Sequence, residues 1–131
     1  MTAFVDTNVL IRHLTGDPPA QAPMATRYLD QASQLLLPDL ILAEVAYVLE
    51  SYYEVTRLQV AEILRSVLAF RAIRVVDDVL LQRAVELYEA YGLDFADAYL
   101  VASAERTGVG VVASFDRGID RVGTVAREEP A

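Results

Sequence analysis

The segment Thr2-Ala3-Phe4-Val5-Asp6-Thr7-Asn8-Val9-Leu10 passes from a short apolar run to polar residues and then to apolar residues again. An apolar run of this length predicts a buried strand, here Thr2 to Val5. The polar residues that follow can cap a helix running toward Leu14, because their side chains accept hydrogen bonds from the first backbone N–H groups. A strand that leads directly into a capped helix is the unit from which α/β folds are built.

The same alternation of strands and helices continues along the chain. Further strands are predicted at about 35–37, 73–76 and 109–114, with a last edge strand at 122–125. Helices are predicted at about 21–32, 38–53, 56–70, 78–91 and 94–107. The terminal residues from Glu128 onward are expected to fray. Strands separated by helices imply crossover connections, so we predict one α/β domain over residues 1–131 with a mainly parallel sheet.

Composition favours a soluble, cytoplasmic globular protein. The chain has 131 residues, of which 54% are hydrophobic, enough to bury a core. No apolar run approaches the roughly 18 residues that cross a bilayer, and no secretory signal is visible near the first residue. The absence of cysteine excludes disulfides, thiolate metal sites and cysteine nucleophiles.

The charge pattern limits how such a protein can bind nucleic acid. The formal net charge is −8, and all 11 basic Lys and Arg positions are arginine. An acidic protein lacks the basic surface that neutralises phosphates, so RNA binding would need a bound cation and a few arginines such as Arg12 and Arg117. The absence of lysine excludes a Walker A loop and Schiff-base chemistry.

Acidic residues follow several of the predicted strands. In parallel sheets, ligands bind beyond the carboxyl ends of the strands, which draws attention to Asp6 and Asp116. Asp77 and Asp78 also follow a strand, but we interpret them as helix caps. Asp6 and Asp116 can serve as caps too, so the capping and functional interpretations both stand at this point.

Two predicted helices carry further candidate acids. Glu44 lies in a strongly apolar helix, with Leu40, Ile41, Tyr47 and Val48 at helical spacing. A lone carboxylate on an apolar face costs several kcal/mol unless it is paired, protonated or bound to a cation. Asp94 and Asp97 stand three residues apart at a helix start, where both capping and a shared cation are possible.

The candidate acids predict a site for a hard cation. Oxygen ligands without histidine or cysteine favour magnesium, with manganese as the alternative. Such an ion can activate a water and neutralise the charge that develops on a phosphodiester. Hydroxyls near two strand ends, from Thr7 and Ser114, can support the acids or a water. The single histidine, His13, cannot build a multi-histidine site.

Four segments of the chain, taken together, resemble the sequence motifs of PIN domains. In the family's order they are Val5-Asp6-Thr7-Asn8-Val9-Leu10, Leu42-Ala43-Glu44-Val45, Asp94-Phe95-Ala96-Asp97-Ala98 and Ser114-Phe115-Asp116-Arg117. The likeness covers nearly the whole chain. Its length is similar to that of the small bacterial and archaeal toxins called VapC.

The resemblance implies a three-layer α/β/α fold and a magnesium-dependent endoribonuclease, the toxin of a type II toxin–antitoxin pair. It also implies a cognate antitoxin protein and a homodimer as partners. By motif match, it carries over a set of catalytic, metal-binding acids: Asp6, Glu44, Asp97 and Asp116, with Asp94 as a more variable metal ligand. It assigns a supporting role to polar neighbours that steady the acids or their waters: Thr7, Asn8 and Ser114, the last of which replaces a threonine found in many relatives.

The expected reaction is in-line attack by a metal-activated water, which leaves 5′-phosphate and 3′-hydroxyl ends. The absence of a histidine pair argues against attack by the RNA 2′-hydroxyl. A different magnesium enzyme that phosphorylates Asp6 is disfavoured, because dehalogenase-type phosphatases need an aspartate where this chain has Asn8, and response regulators need a lysine. The remaining alternative is a catalytically inactive PIN-like protein-binding module.

Overall fold

The computed structural model describes residues 2–131, and within them the chain forms two compact units. The first unit extends to Val76, and the second comprises Asp77–Ala131. The strand pairs described in both units are parallel, and helical segments connect the strands. The predicted α/β class with a parallel sheet is therefore confirmed.

The first unit contains a three-stranded parallel sheet and four helices. The strands are β1 (Thr2–Phe4), β2 (Gln34–Leu36) and β3 (Ile73–Arg74), in the spatial order β1-β2-β3. The helices are α1 (Thr7–Thr15), α2 (Ala22–Gln31), α3 (Asp39–Ser51) and α4 (Arg57–Leu68). Leu35 pairs with Ala3 on one side and with Ile73 on the other. Because the strands are parallel, their carboxyl ends share one edge of this sheet.

Helix boundaries in the first unit follow the residues that the sequence marks as caps. Thr56 begins α4, where its hydroxyl accepts a hydrogen bond from the Gln59 N–H at 3.4 Å. Pro38 stands just before α3 as its N-cap rather than inside its first turn. α1 ends at Gly16, whose φ of 73° is a left-handed conformation that glycine adopts at little cost. The described part of the chain contains no helix whose length and apolar character would suit a bilayer crossing.

The apolar faces of α3 and α4 form the core of the first unit, and the two helices pack against each other. The buried residues on these faces are Leu42, Val45, Ala46 and Leu49 of α3 and Val60, Ala61, Leu64 and Val67 of α4. Leu58 lies at helical spacing from Ala61 and Leu64, which predicts that it shares their face, but its side chain is exposed. Two residues rotate a helix by about 200°, so Leu58 and the buried Val60 face opposite directions.

The second unit consists of two long helices and a two-stranded parallel sheet. Its elements are α5 (Asp78–Tyr91), α6 (Phe95–Thr107), β4 (Val111–Ala113), a 3₁₀ helix (Arg117–Arg121) and β5 (Ala126–Glu128). α5 packs along α6. The helical spacing of Leu81, Val85 and Tyr88 predicts one apolar face of α5, and all three residues are buried. The Tyr88 ring centroid lies 6.1 Å from that of Phe95.

The last strand lies later in the sequence than predicted. The prediction of a strand at 122–125 is wrong, because Val122 ends the 3₁₀ helix and donates its N–H to the Ile119 carbonyl at 3.1 Å. The strand is β5 instead, and it includes Glu128, which was expected to fray. The Ser114 N–H donates to the Glu128 carbonyl at 3.1 Å, which fixes this end of the chain beside β4. Val122 is buried, as a strand residue would be, but it is buried at the end of the 3₁₀ helix.

A partly buried ion pair connects the two helices of the second unit. Arg83 donates from Nε and Nη2 to the two carboxylate oxygens of Glu105, at 2.8 and 3.0 Å. The Thr124 hydroxyl also donates to Glu105. These hydrogen bonds, with that of Arg83 first, hold the pKa of Glu105 below its usual value. Bidentate pairing of this kind is among the stronger polar interactions in proteins.

We expect Glu105→Gln to lower the free energy of unfolding by about 1–2 kcal/mol at pH 7, because Arg83 then loses its charged partner. A lowered folded-state pKa stabilises the fold above the unfolded pKa, and this contribution is lost as the pH falls through the folded value. The difference between variant and wild type should therefore shrink on acidification below about pH 4.5. Urea unfolding from pH 3 to 8 measures this. Glu62→Gln, an exposed change on α4, is the control, and a pH-independent difference contradicts the assignment.

Candidate functional site

Asp6 lies at the junction between β1 and α1, as the sequence predicted. It is the N-cap of α1, and its Oδ1 accepts a hydrogen bond from the Thr7 N–H at 2.9 Å. The side chain is exposed. Capping therefore uses one carboxylate oxygen of Asp6, and the second oxygen remains for another ligand.

Thr7, one of the predicted supporting residues, is the buried polar residue beside Asp6. It is 3% exposed, and its hydroxyl oxygen has no hydrogen-bond partner among residues 2–131. A buried hydroxyl without a partner costs free energy, which a hydrogen bond to a bound group would recover. The neighbouring Asn8 is exposed on α1, where its amide is accessible to a ligand.

Glu44 lies in the middle of α3, but it is not on a buried apolar face, as its helical neighbours in the sequence had indicated. Glu44 is exposed, and its neighbours Leu40 and Tyr47 are 77% and 69% exposed. The buried face of α3 runs through Leu42 and Val45 instead. In a helix that is apolar on nearly every side, periodicity does not indicate which side faces the core. The exposure of Glu44 removes the burial argument and leaves the motif match as its support.

Asp94 and Asp97 occupy the first turn of α6. Asp94 is the N-cap, and its Oδ1 accepts the Asp97 N–H at 2.8 Å. The capping interpretation is confirmed for Asp94, whose side chain is exposed, while Asp97 is half-buried. The two carboxylates stand on one side of the helix start, as their spacing predicted.

Asp116 follows β4 and caps the 3₁₀ helix. Its Oδ1 accepts the Gly118 N–H at 2.8 Å, and its own N–H donates to the Ser114 hydroxyl at 2.9 Å. Ser114 therefore contacts the backbone of Asp116. This contact supports the predicted role of Ser114 in steadying the acid, because it fixes the turn from which the carboxylate projects.

The structure brings Asp97 and Asp116 together with Asp94 beside them. Burial raises the pKa of Asp97 to about 6, helped by its hydrogen bond to Asp116 and by the charges of Asp94 and Asp116. The pKa of Asp116 is lowered, first by the Gly118 N–H and then by Asp97. The pKa values of the two acids therefore shift in opposite directions, and Asp97 keeps its proton to the higher pH. Such pairs occur where like charges are held close together.

Two arginines that the sequence analysis did not select also act on Asp116. The charges of Arg121 and Arg127 help to lower its pKa. Arg121 donates to the Tyr91 carbonyl at 3.0 Å, and Arg127 donates to the Ser114 carbonyl at 2.9 Å. They lie four and ten residues beyond the predicted Arg117, and the arginine-rich stretch from 117 to 127 was the signal that could have identified them.

The remaining polar candidates have structural partners. Asp77 caps α5 by accepting the Leu80 N–H at 3.1 Å, and it pairs with Arg106 at 2.9 Å, so its interpretation as a cap is confirmed. The His13 ring nitrogen Nδ1 lies 2.9 Å from the Thr26 hydroxyl. These contacts explain both residues without a catalytic role.

The carboxylate oxygens of the candidate acids suit a hard cation, but the described acids do not form a complete coordination site. All of the candidate groups offer carboxylate oxygens, which magnesium and manganese prefer. The pKa of Asp97 is raised first by burial and then by the neighbouring acids Asp116 and Asp94. Across residues 2–131, however, no group of three or more histidine, aspartate or glutamate side chains is arranged so that it could hold a metal ion. Asp6 and Glu44 belong to the first unit, on α1 and α3, which pack against each other.

Comparison with known proteins gives a family match over most of the chain. The family model described as the PIN domain matches residues 3–125. A curated relative, the "VapC ribonuclease" of Aquifex aeolicus (strain VF5), is 25% identical over 124 residues, which cover 92% of this chain and 91% of the relative. Among solved structures, VapBC2 from Rickettsia felis bound to a promoter DNA fragment aligns over 100% of both chains with 13% identity and a TM-score of 0.39. A toxin–antitoxin complex from Klebsiella pneumoniae aligns over 96% of both chains with 20% identity and a TM-score of 0.37.

We expect Asp97→Asn to stabilise the metal-free protein by about 1 kcal/mol at pH 8, a value reduced for solvent screening. A raised folded-state pKa gives stability that is present below the unfolded pKa of about 4 and lost as the pH rises through about 6. The variant should therefore be the more stable protein above pH 6 and no more stable near pH 4. Thermal unfolding in chelator measures this, with Asp78→Asn as the control. A variant that is less stable than wild type at pH 8 contradicts the charge-crowding account.

Proposed function

The chain belongs to the PIN domain family, and on that premise we propose that it is a metal-dependent endoribonuclease that hydrolyses RNA phosphodiester bonds. The observation that supports this most is the group of Asp94, Asp97 and Asp116, brought together within the matched region of the chain. The similarity to the VapC ribonuclease of Aquifex aeolicus supports a more specific proposal, that the protein is the toxin of a toxin–antitoxin pair.

We propose Mg²⁺ as the cofactor, with Mn²⁺ as the alternative. The residues that would hold it are the five candidate acids: Asp6, Glu44, Asp94, Asp97 and Asp116. When bound, a divalent ion lowers the pKa of a water and offsets the charge that develops on the phosphodiester.

The chain itself supplies the orientation of these acids. The caps formed by Asp6 and Asp94 each use one oxygen on a backbone N–H, at 2.9 and 2.8 Å, and leave the second oxygen for another ligand. The Thr7 hydroxyl, buried and without a partner among residues 2–131, can donate to a carboxylate or a water beside Asp6. Preorganised groups of this kind reduce the reorganisation that the reaction would otherwise require. In-line attack by water would leave 5′-phosphate and 3′-hydroxyl ends.

The resemblance to VapC toxins also suggests the partners. We propose RNA as the substrate, a cognate antitoxin protein as the inhibitor and a homodimer as the assembly, in the cytoplasm. The strongly acidic composition, with a net charge of −8, is consistent with a protein that binds RNA at a local site rather than over its whole surface.

A catalytically inactive PIN-like protein-binding module is the second candidate function. One observation favours it: among residues 2–131, no group of three acids is arranged to hold a metal ion. The two functions differ in whether the protein turns over RNA, so a cleavage assay separates them.

We expect the purified protein to cut RNA with Mg²⁺ or Mn²⁺ and to stop cutting when the metal is chelated. Asp6→Asn and Asp97→Asn should each reduce the rate about a hundredfold or more, because each removes a proposed metal ligand. Gel analysis gives the rates, and mass spectrometry of the products gives the ends. Asp78→Asn, an acid in the first turn of α5, should cut within about twofold of wild type. Cutting that persists in chelator refutes the metal mechanism, and no cutting under any condition favours the binding module.

The variant Glu44→Gln tests whether the exposed Glu44 is a metal ligand. Because Glu44 is exposed, we expect the variant to unfold at the wild-type temperature while it binds Mn²⁺ about tenfold more weakly. Isothermal titration calorimetry measures the affinity, and circular dichroism measures unfolding. Glu62→Gln on α4 is the matched control. Wild-type affinity in Glu44→Gln would remove this residue from the metal site.

A further inference from the structure

A cavity of about 380 Å³ lies between β1, α1 and α2 in the first unit. Its volume is within the range of small-molecule sites. We call it the α1–α2 cavity. Its wall includes one candidate acid, one arginine and several large apolar side chains: Asp6, Arg12, Phe4, Met24 and Tyr28.

The apolar residues of the α1–α2 cavity are unusually exposed for their size. Phe4 is 74% exposed, Met24 58% and Tyr28 44%. Two aromatic rings that remain accessible beside one cavity offer flat surfaces on which a nucleobase can stack. Stacking of a base on an aromatic side chain tolerates any sequence, because every base has a π face.

Arg12 adds a positive charge that the fold does not use. Its side chain is half-buried, and no hydrogen bond or ion pair of its guanidinium occurs within residues 2–131. A partly desolvated guanidinium without a partner costs free energy, and phosphate is an anion that it binds well. In contrast, Arg83, Arg106 and Arg127 are held by carboxylates.

We propose that the α1–α2 cavity binds one nucleotide of single-stranded RNA next to the bond that is cut. The base stacks on Tyr28, and the adjoining phosphate binds Arg12. Because Asp6 is in the same wall, a nucleotide in this cavity places its backbone beside a proposed metal ligand. This inference rests on the proposed nuclease function and assigns the surface that selects its substrate.

Charge complementarity favours RNA over an apolar peptide as the occupant. A peptide would satisfy Phe4, Met24 and Tyr28, but it would leave Arg12 without an anion unless it also carried an acidic side chain. A nucleotide supplies both the flat base and the phosphate. A peptide therefore becomes the competing outcome of the test, and the two occupants differ in whether they require an aromatic ring at position 28.

The test measures binding of two fluorescein-labelled probes by anisotropy: a mixed-sequence RNA octamer and an abasic octamer with the same phosphates. Binding is measured in Ca²⁺, with the octamer confirmed intact on a denaturing gel. We expect the wild type to bind RNA about tenfold more tightly than the abasic probe. Tyr28→Leu should lose this preference, while Tyr28→Phe, which keeps the ring, should retain it.

The arginine arm uses Arg12→Gln, with Arg27→Gln on α2 as the control. Arg27 is exposed and lies outside the wall of the α1–α2 cavity. Arg12→Gln should weaken binding of both probes about tenfold and reduce the slope of log Kd against log salt by about 0.7, as expected for one lost phosphate contact on a single strand. Arg27→Gln should leave the RNA preference intact and should change the affinity less than Arg12→Gln does.

Several outcomes overturn the inference: no RNA binding by wild type, RNA preference retained in Tyr28→Leu, or equal effects of Arg12→Gln and Arg27→Gln. Retained preference with leucine would indicate an apolar surface of the kind that a peptide uses. Cleavage assays separate this failure from failure of the proposed function. If the wild type cuts RNA and the Tyr28 and Arg12 variants cut equally well, the cavity assignment is wrong and the nuclease stands. If the binding effects appear without any cutting, the nuclease assignment is wrong, and the cavity binds a nucleotide but does not position a bond for cleavage.

Discussion

The hydrogen bond from a backbone N–H to an aspartate cap is the interaction on which the candidate site depends. Asp6 accepts from Thr7, Asp94 accepts from Asp97, and Asp116 accepts from Gly118. Each of these bonds begins a helical segment and also fixes a carboxylate at a defined place. Because a carboxylate has two oxygens and several lone pairs, a cap can also bind a cation. Capping and ligation are therefore compatible roles of the same residue rather than competing explanations of it.

Two acids near these caps, Asp97 and Asp116, have shifted pKa values. The bond to Asp94 holds the first turn of α6, where burial, together with Asp116 and Asp94, raises the pKa of Asp97 to about 6. Arg121 and Arg127 lower the pKa of Asp116 and so compensate one acid of the pair more than the other. The pKa values of the two neighbouring acids therefore shift in opposite directions. Functional sites in enzymes commonly contain acids whose pKa values are perturbed by burial and by neighbouring charges.

The sequence predicted the elements whose signals were local. α5 and α6 are capped by Asp77 and Asp94 and end before Gly92 and Gly108, because caps and glycines act on the residues next to them. β5 was misplaced because Val122 and Val125 look like a strand, although Val122 packs as a helix end. The exposed position of Glu44 was missed because α3 is apolar on most sides. The pairing of Asp97 with Asp116 connects a helix start to the end of a strand, and no periodicity encodes such a contact.

Some arginines of the chain are held in ion pairs with carboxylates, and others can still bind an anion. Arg83, Arg106 and Arg127 are engaged by Glu105, Asp77 and Asp120, so binding an RNA phosphate would first require breaking an ion pair. With a net charge of −8, the protein has no general attraction for a polyanion. The proposed binding of RNA would therefore depend on a few defined contacts. A half-buried arginine beside exposed rings meets that requirement, because phosphate binding and base stacking act on the same nucleotide and do not need a basic surface.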